Sequence, residues 1–256
     1  IAVVLYINIR IKKKHNAVLD LKNKQIEDAN LELRGLNKEL AEVNYKISKA
    51  HKNITDSIDY ASRIQKAILP DQARIKEIIN SYFILFQPKD IVSGDFYWVE
   101  EAGGYKFTAV VDCTGHGVPG AFMSLIGYSY LNYIVKNRGI YNPAEILSEL
   151  NKEIRKVLRQ RDDRRSQQDG MDMLIIRMNG NVLTFSGARR PLWYTENEEF
   201  KEIKGDRNSI GGRQKKKEVV YTNHTLTVHP GMTFYLTSDG FADQNNPENE
   251  NYGTNR

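Results

Sequence analysis

The chain has 256 residues, a formal charge of +5, 40% hydrophobic and 27% charged residues, and a single cysteine. That length holds one full globular domain with a sizeable core plus an extension. The basic excess is partly local, in Arg10, Lys12, Lys13 and Lys14 and again in Lys215 to Lys217. Neither run is interleaved with aromatics or set in a known motif, so no nucleic-acid partner is expected. Cys113 alone excludes an intrachain disulfide and fits a reducing compartment.

The first residues, IAVVLYINI, are apolar and run directly into RIKKKH. They are too few to cross a bilayer, which needs about 20 apolar residues. An apolar stub abutting a basic cluster nevertheless matches the cytoplasmic end of a membrane helix. Residues 1–16 are therefore expected to be the end of such a helix and its juxtamembrane segment, on the cytoplasmic side of the inner membrane. The alternative is the amphipathic start of a soluble helix.

Residues 17–69 carry a seven-residue repeat. One register reads Leu19, Ile26, Leu33, Leu40, Ile47, Ile54, Ala61 and Ile68, all apolar; the second reads Lys22, Ala29, Leu36, Val43, Ala50, Ser57 and Ile64. A seam of period 3.5 sustained this far predicts a coiled coil about 75 Å long. Another helix would cover it, and tethered copies would pair in parallel, as a homodimer. Gly35 and Lys22 weaken the seam locally, and a lone amphipathic helix folded back on the domain is the alternative.

Pro70 ends this helix. A short helix near Gln72 to Ile79 should follow, then strands in SYFILFQ, DFYWVEEA and YKFTAVVD, the last two joined through Gly103-Gly104. VPGAFMSLIGYSYLNYIVK and PAEILSELNKEIRKVL read as helices, with Pro119 and Pro143 tolerated in their first turns. Strands resume in MDMLIIRM and NVLTFSGA around an Asn179-Gly180 turn, then in LWYTENEEFKEI, VVYTNHTLTV and GMTFYLTS. Two helices bracketed by antiparallel hairpins describe a layered α+β domain over residues 70–256.

Four aspartates stand in glycine-flanked turns: Asp95 in SGDF, Asp112 in VVDCTGHG, Asp172 in DGMDM and Asp239 in TSDG. Asp95 and Asp112 lie at the start and end of one hairpin, so they should meet at a sheet edge. Asp239 ends an apolar run that can reach the same edge; Asp172 opens its own strand. Gathered carboxylates raise one another's pKa and call for a cation, and oxygen ligands suit Mg²⁺ or Mn²⁺. Singly, each is as readily a turn residue.

In order, the motifs SGDFYW, VVDCTGHGVPGAFMS, DGMDM, GARRPLWY, IGG and YLTSDGFADQ resemble the SpoIIE-like branch of the metal-dependent PPM (2C-class) serine/threonine phosphatases. The preceding DSIDYASRIQKAILP is similar to the helical segment that leads into that domain. The resemblance covers roughly Ile54 to Gln244. It implies a layered α-β-β-α sandwich, preceded here by the long coiled-coil helix, with two Mn²⁺ or Mg²⁺ ions at the sheet edge. Carried over by motif, Asp112 bridges both ions, the Cys113 carbonyl helps to bind one, Asp239 binds the other, and Asp95 acts directly or through water. Asp172 matches a further position, and Gly115 and Gly117 shape the loop. Asp112, Asp239 and His116 form the implied catalytic set, His116 as general acid or else as a loop hydrogen-bonder. Arg189 and Arg190 are candidates for phosphate docking, with Arg189 assigned to binding; exposed arginines more often only solvate a surface.

The family pattern also has a metal-binding aspartate further downstream, so this chain is expected to lack one ligand and one strand. The implied activity is hydrolysis of phosphoserine or phosphothreonine on a small regulator of the anti-sigma-factor-antagonist type, at the output end of a membrane-linked receptor. Two rivals stand beside it. One is a pseudophosphatase that only binds a partner. The other is a metal-dependent nuclease or phosphodiesterase, disfavoured because the segments flanking the aspartates are not basic.

Overall fold

The computed structural model describes residues 1–160, 168–214, 219–240 and 242. The basic run Lys215 to Lys217, residues 161–167 of the polar loop RQRDDRRSQQDG, and the end of the last motif with the tail after it lie outside the described residues.

A single helix, α1 (Ala2–Ile68), takes up the whole heptad region and the apolar stub before it. No proline interrupts it until Pro70, and Gly35 sits in open space. No described helix is long and apolar enough to cross a membrane. The seam residues Leu19, Ile26, Leu33, Leu40, Ile47 and Ile54 are exposed. The chain separates into two compact units, Ile1–Ser57 and Ile58–Arg256. The last turns of α1 thus belong to the second unit, because Ser62 and Gln65 are buried within it.

Helix α2 (Gln72–Ile78) starts on Asp71, whose carboxylate accepts the Arg74 N–H at 2.7 Å. It seats Ile75 and Ile78 against Val99. The strand expected in SYFILFQ is absent: residues 81–87 form no ladder, and Phe83 and Leu85 are exposed. High β-propensity makes a strand only where the segment is laid against a partner, and this one is not, although the edge strand that follows it keeps a free side.

Strands β1 (Phe96–Ala102) and β2 (Tyr105–Cys113) form the expected hairpin, turning on Gly103 and Gly104, both at positive φ. Helix α3 (Gly117–Asn132) follows, ends in a π-turn at Tyr133–Asn137, and leads to α4 (Pro143–Val157), capped by Asn142. The chain then returns through β3 (Gly170–Asn179), β4 (Val182–Ala188), β5 (Leu192–Glu196), β6 (Glu199–Ile203), β7 (Ile210–Gly211), β8 (His224–Thr227) and β9 (Thr233–Tyr235). The last two strands are shorter than VVYTNHTLTV and GMTFYLTS led one to expect.

The larger sheet has the order β1-β2-β3-β4-β8, with β7 on β3, and the smaller one the order β6-β5-β9. All ladders are antiparallel. Strand alternation divides the core in two. Phe96, Trp98, Phe107, Val111, Met171 and Ile175 meet α3 and α4 on one face. Val110, Leu174, Ile176, Leu183 and Phe185 meet Leu192 and Phe234 of the smaller sheet on the other. The result is an α+β sandwich of helix, sheet and sheet layers.

Candidate active site

Alternation also decides where the acids go. Val111 and Cys113 point into the helix-side core, so Asp112 between them faces the inter-sheet side. Asp112 pairs in register with Asp172 across the β2–β3 ladder. Like charges directly opposite are unfavourable in a sheet, which marks this pair as kept for something other than stability. Asp95 precedes Phe96, whose ladder partner is Val111, so the hairpin carries Asp95 alongside Asp112.

The backbone near Asp95 is close-packed. A Cβ on Gly94 would lie 2.7 Å from the Gly115 carbonyl oxygen and 3.1 Å from that of Cys113; one on Gly120 would lie 2.5 Å from the Gly115 oxygen. Gly115 and Gly117 themselves sit at φ +90 and +62, a region that favours glycine. The sequence SGD…CTGHGVPG thereby lets three backbone segments touch, and Asp95 and the carbonyls after Asp112 share one small volume.

Asp95, Asp112 and Asp239 converge. Asp95 has Ser238 and Asp112 within hydrogen-bonding reach, and the Arg190 guanidinium joins the other two. Its Nη2 donates both to Asp112 and to Asp239, the latter at 2.6 Å. Burial and the adjacent Asp95 carboxylate push Asp112 up to about 8, against the pull of Arg190. Burial likewise raises Asp95. Burial works the same way on Asp239, but the Arg190 hydrogen bond outweighs it and holds that carboxyl below its usual range. Burial also opposes the charge on Arg190, which the bond to Asp239 and the fields of Asp112 and Asp172 overcome. Three acids share one guanidinium, so ionising all three would leave more negative charge than a single cation offsets.

The other expected residues fall into place around this centre. Asp172 accepts from Ser209 Oγ and lies 3.7 Å from Arg189 Nε. Arg189, assigned to binding, faces Asp172 and Ser209; it is its neighbour Arg190 that reaches the cluster. His116 stands at the N-cap position of α3 without a side-chain capping bond, and its ring bonds to Asp90 at 2.8 Å, not to any of the three clustered acids. The Cys113 thiol is buried, and burial pushes its pKa well up, which leaves its carbonyl as the group it offers.

Two features escaped the sequence reading. Arg190 was grouped with Arg189, although β4 ends at the same sheet edge where β2 ends and β3 begins, which would have singled out the residues just after it. Gln65 carries no signal in the sequence that sets it apart. It is buried, and it bonds Ser93 and Ser124.

The solved SiaA-PP2C domain of Pseudomonas aeruginosa is similar to this chain, with 37% sequence identity, a TM-score of 0.69 and 80% of each chain covered. The fold and its acidic sheet edge define a PP2C-type phosphatase domain. The family model described as Stage II sporulation protein E (SpoIIE) matches residues 102–256, and the chain belongs to that family. More distant likenesses include the PP2C phosphatase domain of SpoIIE from Bacillus subtilis, at 19% identity over 59% of this chain and 43% of that one, with a TM-score of 0.47. Another is the catalytic domain of the serine/threonine protein phosphatase PstP in complex with 2 manganese ions, at 16% identity over 61% and 75%, with a TM-score of 0.46. No curated protein sequence matches the chain.

Proposed function

We propose that this protein is a metal-dependent protein serine/threonine phosphatase, the output domain of a membrane-linked bacterial signalling protein. Its substrate class is a phosphoserine or phosphothreonine regulator of the anti-sigma-factor-antagonist type. The observation that carries the reading is the convergence of Asp95, Asp112 and Asp239 in one cluster, the last two joined by one guanidinium.

Among the described residues, no three His, Cys, Asp or Glu side chains are set ready to hold a metal ion. Arg190 lies between two of the acids, which accounts for that. The donors are nonetheless oxygens only, would carry excess negative charge once ionised, and sit beside the close-packed Cys113 and Gly115 carbonyls; they fit two Mn²⁺ or Mg²⁺ ions. Asp95, Asp112, Asp239 and the Cys113 carbonyl would hold them, with Asp172 behind Asp112. Bound there, such ions supply an activated water near neutral pH and neutralise phosphoryl charge.

The chain's own residues do the rest. Gly94, Gly115 and Gly120 fix the distance between the Asp95 and Asp112 segments. His116, bonded to Asp90, holds the loop entering α3, the role its geometry supports in place of general acid. Cys113 is ruled out as a nucleophile by its buried, protonated thiol. A cleft of about 500 Å³ lined by Arg189, Glu202, Lys204 and Arg207 shares Arg189 with the site and offers room for a substrate segment. The exposed heptad seam of α1 supports a parallel homodimer.

A catalytically inactive, partner-binding reading is favoured by one observation, the guanidinium standing where a cation would. Phosphate release from a phosphoserine protein separates the two. The intact protein should release phosphate with Mn²⁺, stop with chelator, and lose the activity in Asp112→Asn. Absent release would leave the inactive reading, and Mn²⁺-independent release would overturn both.

A further inference from the structure

We infer that Arg190 is a built-in counter-cation of the acidic cluster, displaced when the carboxylates ligate a divalent cation, and that its freed guanidinium then grips the phosphoryl group. The inference rests on the phosphatase reading above.

A single nitrogen, Nη2, serves both Asp112 and Asp239. The Nε of the same guanidinium is buried and has no hydrogen-bond partner. Guanidinium presents its donors in a rigid fork suited to two oxygens of one carboxylate or phosphate. Here the fork is used at one tip, while a donor on its flank is withheld from water and left without an acceptor. Such a donor is unfavourable unless an acceptor arrives in some other state.

The root of the side chain is fixed. Arg189 adopts φ +58 and Pro191 follows directly. A Cβ on Gly205 would lie 2.5 Å from the Arg190 carbonyl oxygen, so the backbone is closely covered. Asp206 N–H donates to the Gly187 carbonyl, and Arg189 N–H to the Asp206 carbonyl, both at 2.7 Å, which ties the strand end down. Only the side chain is free to change partner, over a short distance.

The charges prescribe that change. Once Asp112 and Asp239 ligate a cation, their oxygens cease to be acceptors for Arg190, and the like charge repels it. A phosphate monoester entering the same site brings oxygens that match both the fork and the idle Nε. Arg189 is not placed for this, since its own contacts are Asp172 and Ser209.

The test measures two affinities by calorimetry on the intact protein, Arg190→Met and Arg190→Lys, with folding checked by circular dichroism. Mn²⁺ alone is titrated first; inorganic phosphate is titrated next at saturating Mn²⁺. Arg190→Met should bind Mn²⁺ about tenfold more tightly and phosphate about tenfold more weakly, as expected for one charged hydrogen-bond partner lost on each side. Arg190→Lys should keep the Mn²⁺ affinity near that of the unaltered protein and still lose phosphate affinity, because a point charge lacks the fork. A purely structural role would weaken both, and that result overturns the inference. Should Arg190→Met fail to fold, equal phosphate affinity in Arg190→Lys and the unaltered protein overturns it. No Mn²⁺ binding by the unaltered protein sinks both readings. Mn²⁺ and phosphate affinities indifferent to Arg190 sink this one alone.

Discussion

Gln65 brackets Ser93: its Nε2 donates to the Ser93 carbonyl at 2.6 Å, and its Oε1 accepts the Ser93 N–H at 2.9 Å. The same Nε2 donates to Ser124 Oγ on α3 at 2.8 Å. One turn earlier Ser62 Oγ donates to the Ile91 carbonyl at 2.8 Å. The last turns of α1 thus hold the loop that ends in Asp95.

Gln65→Leu should therefore leave the Ser93 backbone groups without partners in a buried setting, costing about 1–3 kcal/mol of stability. It should also raise the Mn²⁺ concentration needed for half-maximal activity. Thermal melts and Mn²⁺ titrations check both. Parental values in both, or hydrogen exchange at Ile91 to Asp95 unchanged by the substitution, would disconnect α1 from the site.

Gly120→Ala forces a methyl against the Gly115 carbonyl and should destabilise the protein by about 1–3 kcal/mol while lowering phosphate release. Gly35→Ala, in open space on α1, should instead stabilise that helix by about 0.5–1 kcal/mol. Parallel urea melts compare them; a harmless Gly120→Ala would mean that the three-segment contact is loose.

Glu100 offers a pH dependence away from the acidic cluster. Burial opposes its charge, but hydrogen bonds from Lys136 and Arg74 outweigh it and hold the carboxyl below its ordinary range. A depressed folded-state value contributes stability that is present above the unfolded value of about 4.3 and is lost as pH falls through the folded one. Glu100→Gln should thus cost about 1–3 kcal/mol at pH 7, and the gap from the parent should close towards pH 3. Melting temperatures across that range supply the check, and a constant gap would contradict the assignment.

Reversing two exposed charges of the cleft, Lys204→Glu with Arg207→Glu, should raise KM for an acidic phosphoprotein by about three- to tenfold through lost charge complementarity. Hydrolysis of a small aryl phosphate should be spared. Equal effects on both substrates would place the cleft outside the substrate path.

Much of the architecture was legible because it depends on local periodicity and turn chemistry. The 3.5-residue seam foretold α1, Pro143 opened α4, and Gly103-Gly104 and Asn179-Gly180 marked two hairpins. The SYFILFQ strand failed because local propensity is silent about whether the segment comes to lie against a partner strand. Asp95 and Asp112 could be paired from the hairpin alone. Asp239 needed the second sheet to bring it there.

What the sequence alone determined is the order and kind of elements and the acidic, glycine-lined loops, since these follow from side-chain period and from backbone freedom at single residues. The tertiary structure decided which residues meet: that Arg190 and not Arg189 reaches the acids, that His116 turns to Asp90, and that Gln65 is buried against Ser93. Those outcomes depend on where strand ends and helix ends come to lie in space. A difference of one residue along a strand sends a side chain to the opposite face, and no local pattern encodes which face will hold the charge.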